Sequence, residues 1–403
     1  MKILFIGAFS EPSQEFMLYQ CTKGHISVSA STFQKAFLSG FVKTNAIFDY
    51  IINAPAIGSF PLRCSKLNFH SSKFVYNNIN GINVSFKNLT YFKNRSICHS
   101  IRSEILKWIQ SYSDEQVVIV VYSLMYPYIK AAIDVKRKYS NVRICCIVLD
   151  LPQYFVDNKS FLSRFLSKRE TKNIYSLVPE IDSFVLLTQD MATALDVNQR
   201  PWLLIEGIYQ PRVIEGVEKK TKTVLYTGNL DGRFGIRDLV EAFSLITDPD
   251  FALWICGDGA DRVFVEEAAS KDSRIRYWGL LPQEQIFMMQ KEATLLINPR
   301  KAKGEFTKYS FPSKTMEYMA SATPTLMYDL PGVPSEYKEF LVIIPDDTLS
   351  TLAQTIYAWG TKEQSELDLF GKQAQEFILY KKNSYYQAGR FANFIKDISY
   401  EKE

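Results

Sequence analysis

The chain has 403 residues, enough for two domains of about 150–200 residues each. Hydrophobic residues make up 47% and charged residues 22%, which excludes a disordered chain, a collagen and a coiled coil. The net charge of +4 conceals an asymmetry, because residues 1–200 hold 23 Lys and Arg against 14 Asp and Glu while the remainder is acidic by five. The basic half implies an anionic partner, whether phosphate groups, an acidic membrane face or nucleic acid, or else a scatter of solvated lysines.

No apolar run reaches the roughly 18 residues of a membrane-spanning helix. Met1–Gly7 is too short for a secretory signal and reads as a first buried strand. Further strands are expected at Gln116–Tyr122, Val142–Leu149, Phe184–Thr188 and Trp202–Ile205. Helices are expected at Ser31–Val42, Ser100–Ser111, Tyr126–Tyr139 and Asp190–Asp196, while residues 45–98 show no periodicity that places an element. A polar stretch with Pro211 follows, and a second series opens at Thr223. Its strands are Thr223–Thr227, Ala252–Cys256, Arg274–Trp278, Leu295–Asn298, Thr325–Tyr328 and Leu341–Ile344. Helices alternate with them at Arg237–Ile246, Val263–Ala269, Glu284–Lys291, Pro312–Ala320 and Leu349–Trp359, and the tail Ile378–Ile398 reads as one or two more. Alternation of this kind predicts two doubly wound α/β domains whose ligands bind beyond the carboxyl ends of the strands. The expected division is 1–204, a linker 205–222, 223–380, and a terminal segment 381–403.

Three strand-to-helix loops of the second half could carry chemistry. Gly228-Asn229-Leu230-Asp231-Gly232-Arg233-Phe234-Gly235 lets backbone amides approach an anion beside the Arg233 charge, or is a turn whose Arg faces water. In Cys256-Gly257-Asp258-Gly259, Gly257 is read as facing a ligand and Asp258 as capping the next helix. The third begins at Asn298-Pro299-Arg300 and continues through Tyr309-Ser310-Phe311-Pro312-Ser313-Lys314 to Ala320. Pro312 suits a first helical turn, the amides and the Ser313 hydroxyl suit a phosphate, and Ser313, Lys314 and Glu317 share one face. Glu317 could hold the two hydroxyls of a ribose, or pair with Lys314 on a solvated face.

Taken in order, these residues resemble the donor-binding domain of family-4 glycosyltransferases. The resemblance runs through Tyr226-Thr-Gly228, Gly235–Phe243, Trp254–Gly259, Trp278–Pro282 and Ser310–Pro324, and is looser in the first half, at Val148–Pro152 and Ile205–Gly207. It implies a GT-B fold, two Rossmann-like domains facing across a cleft, and sugar transfer from a nucleotide-sugar with retention and without a metal cofactor. It places Glu317 at the second glutamate of the family's E-x7-E motif, Gly228 beside the diphosphate and transferred sugar, and the stretch from Gly279 and Leu280 to Ile286 beside the nucleobase. Two positions depart from the pattern. Tyr309 replaces the first glutamate of the motif, and Asn229 and Phe234 replace the cations of the diphosphate loop. Arg233, Lys314 or Arg300 would then stabilise the leaving-group charge.

Asp248-Pro249-Asp250 reads as a turn rather than a metal-binding DxD, and His25, His70 and His99 have no metal spacing. Asp150, after a strand end, would contact an acceptor hydroxyl or cap the next segment. In Lys159–Lys172, Phe161, Leu162, Phe165 and Leu166 recur at helical spacing among cations, as in a helix lying on an anionic membrane or packed on its own domain. The six cysteines form no zinc or CxxC spacing and suit a reduced cytoplasmic chain, peripheral on the inner membrane face if that helix binds lipid. The expected function is a retaining glycosyltransferase of bacterial surface polysaccharide synthesis, acting on a glycan or lipid-linked acceptor. Glu317, Arg233 and Asp150 form its expected catalytic set. A non-catalytic subunit of a partner transferase and a nucleotide-sugar 2-epimerase are the alternatives, and nucleic acid is not an expected partner.

Overall fold

The computed structural model describes every residue except 24–27, 43–47, 155–160, 212–216 and 401–403. It divides into two units, Met1–Ile208 with Ser384–Glu403, and Tyr209–Asn383. No helix among the described residues is long and apolar enough to cross a membrane.

The strands of the first unit are β1 (Lys2–Gly7), β2 (Tyr50–Asn53), β3 (Asn68–Phe69), β4 (Ser72–Tyr76), β5 (Ile79–Asn83), β6 (Phe86–Lys87), β7 (Val117–Tyr122), β8 (Val142–Val148), β9 (Ser183–Leu186) and β10 (Trp202–Leu204). Eight of them form one sheet in the order β10-β9-β8-β7-β1-β2-β5-β4, parallel except for the edge strand β4. β7, Val-Val-Ile-Val-Val-Tyr, is buried at all six positions, as an inner parallel strand covered on both faces must be. From β5 to β9 the order is that of a Rossmann sheet.

Residues 45–98, whose elements the sequence does not place, hold β2 to β6 and the start of the helix Lys93–Ile109. The strands are too short to build a pattern. The β4–β5 hairpin turns at Asn77 and Asn78, with φ of 49° and 64°, conformations that asparagine tolerates. The helix Pro12–Cys21 also escaped expectation, because it buries only Leu18 and Cys21. The segment Phe161–Leu177 is helical. Lys159 and the side chains of Phe161, Leu162, Arg164, Phe165 and Leu166 lie outside the described residues, as does His25. Lys168, Arg169 and Lys172 of that helix are exposed, and Ile174 and Leu177 are buried.

The tail forms two helices, Gln364–Lys381 and Ser384–Tyr400, and the second belongs to the first unit. Phe391 lies fully buried there, its ring 5.0 Å from Phe37 and 5.9 Å from Phe41. Gly40 permits the approach, since a Cβ would stand 2.1 Å from the Ser384 carbonyl oxygen.

The second unit contains β11 (Thr223–Thr227), β12 (Ala252–Cys256), β13 (Ile275–Gly279), β14 (Leu295–Asn298), β15 (Thr325–Tyr328) and β16 (Val342–Ile344). All are parallel, in the order β13-β12-β11-β14-β15-β16, again that of a Rossmann sheet. The helix after β11, Ile236–Ser244, buries Ile236, Leu239, Val240 and Phe243, the i, i+3, i+4, i+7 stripe that seats it on the sheet. The strand order reverses between β11 and β14. Chains leave these two strands in opposite directions and open a crevice at their carboxyl ends.

Candidate functional site

A pocket of about 310 Å³ occupies that crevice in the second unit. Thr227 and Gly228 line it from the end of β11, Asn298 from β14, and Arg300, Ser313 and Lys314 from the segment that follows. Two cations and no carboxylate face it, so the lining favours an anion.

Arg300 is the most constrained of these groups. It is 8% exposed, its Nη2 donates to Ser310 Oγ at 2.8 Å, and its guanidinium lies 4.8 Å from the Phe306 ring centroid. Its Nε is buried without a hydrogen-bond partner, and it makes no ion pair among the described residues. Burial pulls the guanidinium below its ordinary pKa, yet an arginine stays protonated at neutral pH. A buried and unneutralised cation beside a pocket is costly unless an anion completes it.

Lys314 opens the helix Lys314–Ala320 and donates to Thr227 Oγ1 at 3.3 Å. It makes no ion pair among the described residues, so the expected alternative of a Lys314–Glu317 pair does not form. The helix starts two residues later than Pro312. Ser313 occupies the N-cap without a side-chain capping bond, while the Pro312 carbonyl accepts from Thr315 N at 2.8 Å. Glu317 is half-buried in the first turn of this helix and is not among the residues lining the pocket.

Tyr318, which the sequence did not single out, fastens the floor. Its hydroxyl accepts from Thr227 N at 2.8 Å and donates to Thr227 O at 3.0 Å, tying the helix to the end of β11. The signal was present in principle, for a tyrosine on the core face beside Met319 needs a partner for its hydroxyl.

The glycine loops divide between lining and support. Gly228 lines the pocket above Tyr226, whose hydroxyl donates to Asn229 O at 2.8 Å, and Asn229 itself lines the pocket with Phe234. Gly257 does not line it. At φ 141° its Cβ would stand 1.8 Å from the Gly228 carbonyl oxygen, so it allows the two loops to pass, and its amide donates to Gly279 O at 2.8 Å. Asp261 rather than Asp258 takes the N-cap of the helix Arg262–Lys271, while Asp258 accepts from Gly259 N at 2.9 Å.

Arg233 is exposed outside the pocket lining and bonds both carboxylate oxygens of Asp231, at 2.9 Å and 3.0 Å for the shortest contacts. Gly279 ends β13, Leu280 just beyond it is 76% exposed, and Tyr309 is half-buried, all three outside the lining. Asp150 belongs to the first unit, two residues beyond β8. It is solvent-exposed, and partial desolvation still holds its carboxyl above the usual carboxylate range. Asp248 and Asp250 flank the expected turn, where Asp248 accepts from Asp250 N at 3.0 Å and Lys222 pairs with both carboxylates. No group of three metal-ligating side chains occurs among the described residues.

Residues 221–359, which frame this pocket, match the family Glycosyl transferases group 1. The second unit is a glycosyltransferase domain. Among solved structures, Anabaena HepE in complex with UDP is similar at 12% identity and a TM-score of 0.61, covering 98% of this chain and all of that one. Sucrose-phosphate synthase from Thermosynechococcus elongatus is similar at 14% identity and a TM-score of 0.61, covering 99% of each chain. The crystal structure of TarM is similar at 15% identity and a TM-score of 0.56, covering 81% of this chain and 63% of that one. No curated protein matches the sequence. The two Rossmann-like units have the GT-B fold, and the chain is a glycosyltransferase.

Proposed function

We propose that the chain transfers a sugar, with retention, from a nucleotide-sugar to a glycan or lipid-linked acceptor in the building of a bacterial surface polysaccharide. The observation that carries the donor reading is the buried Arg300 guanidinium, which faces the pocket beside Lys314 with no carboxylate to neutralise it. A diphosphate placed between Gly228 and Ser313 would complete both cations. They would offset the charge that grows on the leaving diphosphate as the anomeric bond breaks. Arg300 and Lys314 thus take the part of the cations missing at Asn229 and Phe234. No metal is assigned a part, because the lining offers no carboxylate to hold a divalent ion. Glu317, one turn into the helix, holds the donor ribose. Asp150 is reserved for an acceptor hydroxyl, and Arg233, already paired with Asp231, serves the loop's shape more than its charge. HepE carries UDP in its structure, which makes a UDP-sugar the first donor to try.

The test is a thermal-shift panel of UDP-, GDP-, CDP- and ADP-sugars with wild type, Arg300→Gln and Glu317→Gln. A donor at 100 times its Kd stabilises the chain by about 2.7 kcal/mol. One nucleotide family should stabilise wild type and lose at least roughly tenfold in affinity with either variant. A flat panel would sink the donor reading in favour of a non-catalytic subunit.

A further inference from the structure

A surface of the first unit has no part in the donor reading. Between Tyr50 and Ser103 the sequence holds seven Lys and Arg and no Asp or Glu. Two stretches of this run, 58–66 and 87–95, follow the carboxyl ends of the parallel strands β2 and β5, the edge at which such sheets receive ligands. The backbone ties the two together. Phe60 N donates to Asn88 O at 2.8 Å, Thr90 Oγ1 donates to Phe60 O at 3.3 Å, and Phe60 forms a bridge with Leu89.

On this frame Leu62, Tyr91 and Phe92 stand 80%, 71% and 58% exposed, and Leu89 is exposed beside them. Arg63, Lys87 and Arg95 surround them, together with Lys23, whose Nζ donates to Pro61 O at 3.2 Å. All four cations are exposed, and none forms an ion pair among the described residues. Glu170 touches the margin only, accepting from Asn94 Nδ2 at 3.0 Å. Unpaired cations alone would suit any polyanion. Aliphatic and aromatic side chains held in water among them add a demand for an apolar medium that a soluble polyanion does not meet. The headgroup–acyl boundary of an anionic bilayer meets both demands.

We infer that the loops 58–66 and 87–95 dock the chain on an anionic lipid surface. Leu62, Tyr91 and Phe92 enter at headgroup level, and Lys23, Arg63, Lys87 and Arg95 meet the lipid phosphates. The inference deepens the proposed function, on which it rests for its meaning, by naming where a lipid-borne acceptor is met. The binding itself is measured without donor.

The full chain is sedimented with vesicles of mixed phosphatidylcholine and phosphatidylglycerol, and with phosphatidylcholine alone. Wild type should bind the mixed vesicles, bind phosphatidylcholine weakly, and release as salt is raised. Tyr91→Ser with Phe92→Ser, and separately Arg63→Glu with Arg95→Glu, should each weaken binding by about tenfold or more. Their thermal unfolding should match wild type, because the side chains are exposed; if either pair unfolds, Leu62→Ser supplies the same readout. Absence of wild-type binding overturns the inference, as does undiminished binding by the variants. Retention on heparin without vesicle binding would assign the surface to a soluble polyanion. Loss of binding in Lys168→Glu with Arg169→Glu alone would move the contact to the helix Phe161–Leu177. The loop variants should leave the nucleotide-sugar shifts intact, so failure here and failure of the donor reading are told apart.

Discussion

In the second unit the edge beyond β11 and β14 is made by backbone and buried polar groups: a glycine that lets two loops cross, a tyrosine hydroxyl tied to a strand end, a guanidinium almost without water. In the first unit the edge beyond β2 and β5 is made by side chains standing in solvent, apolar and cationic together. Both sheets have the Rossmann strand order, so topology does not explain the contrast. The kind of partner proposed for each edge does. A compact anion is gripped by preorganised donors at short range, which needs rigid geometry. A broad surface is met by many weak contacts, which needs exposure and tolerates variation.

The sharpest way to break this contrast is to place a methyl group at Gly257. Both its φ of 141° and the 1.8 Å approach of its Cβ to the Gly228 carbonyl oppose alanine, so Gly257→Ala should destabilise the second unit by roughly 3 kcal/mol or more. Denaturant unfolding followed by Trp254 and Trp278 fluorescence reads this out. The matched change in the first unit, Tyr91→Ser, should move stability by no more than about 0.5 kcal/mol. Equal effects would abolish the distinction. Tyr318→Phe leaves the buried Thr227 amide without its acceptor and should cost about 1–3 kcal/mol, with weaker nucleotide-sugar binding as the floor loosens.

A pH dependence separates the units without any change in the site. Burial lowers Lys219, which donates to Ala293 O, from 10.5 to about 8. At neutral pH the folded and unfolded forms are both protonated there, and the cost of burying the charge is fully present. As pH rises from about 8 to 10.5 the folded chain loses the proton first, so this group's contribution to stability rises by at most about 3 kcal/mol. Lys219→Met should remove that rise, seen as a stability difference from wild type that changes between pH 8 and 10.5 and is flat below. A variant that tracks wild type across the window would show that the second unit hides no such charge.

The second unit was legible in the sequence and much of the first was not, for reasons the comparison supplies. Thr223–Thr227, Ala252–Cys256, Leu295–Asn298 and Thr325–Tyr328 are apolar runs bounded by turn residues, and their limits agree with the strands. Arg300, Ser313, Lys314, Gly228 and Asn229 were marked by loop position and do line one pocket. What sequence could not show was orientation. It did not reveal that Gly257 faces a carbonyl, that Arg233 turns to its own neighbour Asp231, or that Tyr318 closes the floor. In the first unit β3 and β6 have two residues each, and the exposed residues at 62 and 89–92 interrupt any alternation of buried and polar positions. Apolar residues standing in solvent look like noise to a rule that expects them inside.

The terminal helix adds a constraint on how the molecule is made. Phe391 fills the space among Phe37, Phe41 and Phe48, so a nascent chain that has just released residues 1–208 lacks a ring from the centre of its first core. That hollow stays lined with apolar surface while the whole second unit is synthesised, open to chaperones and to like chains. The half that leaves the ribosome first is the last to be finished.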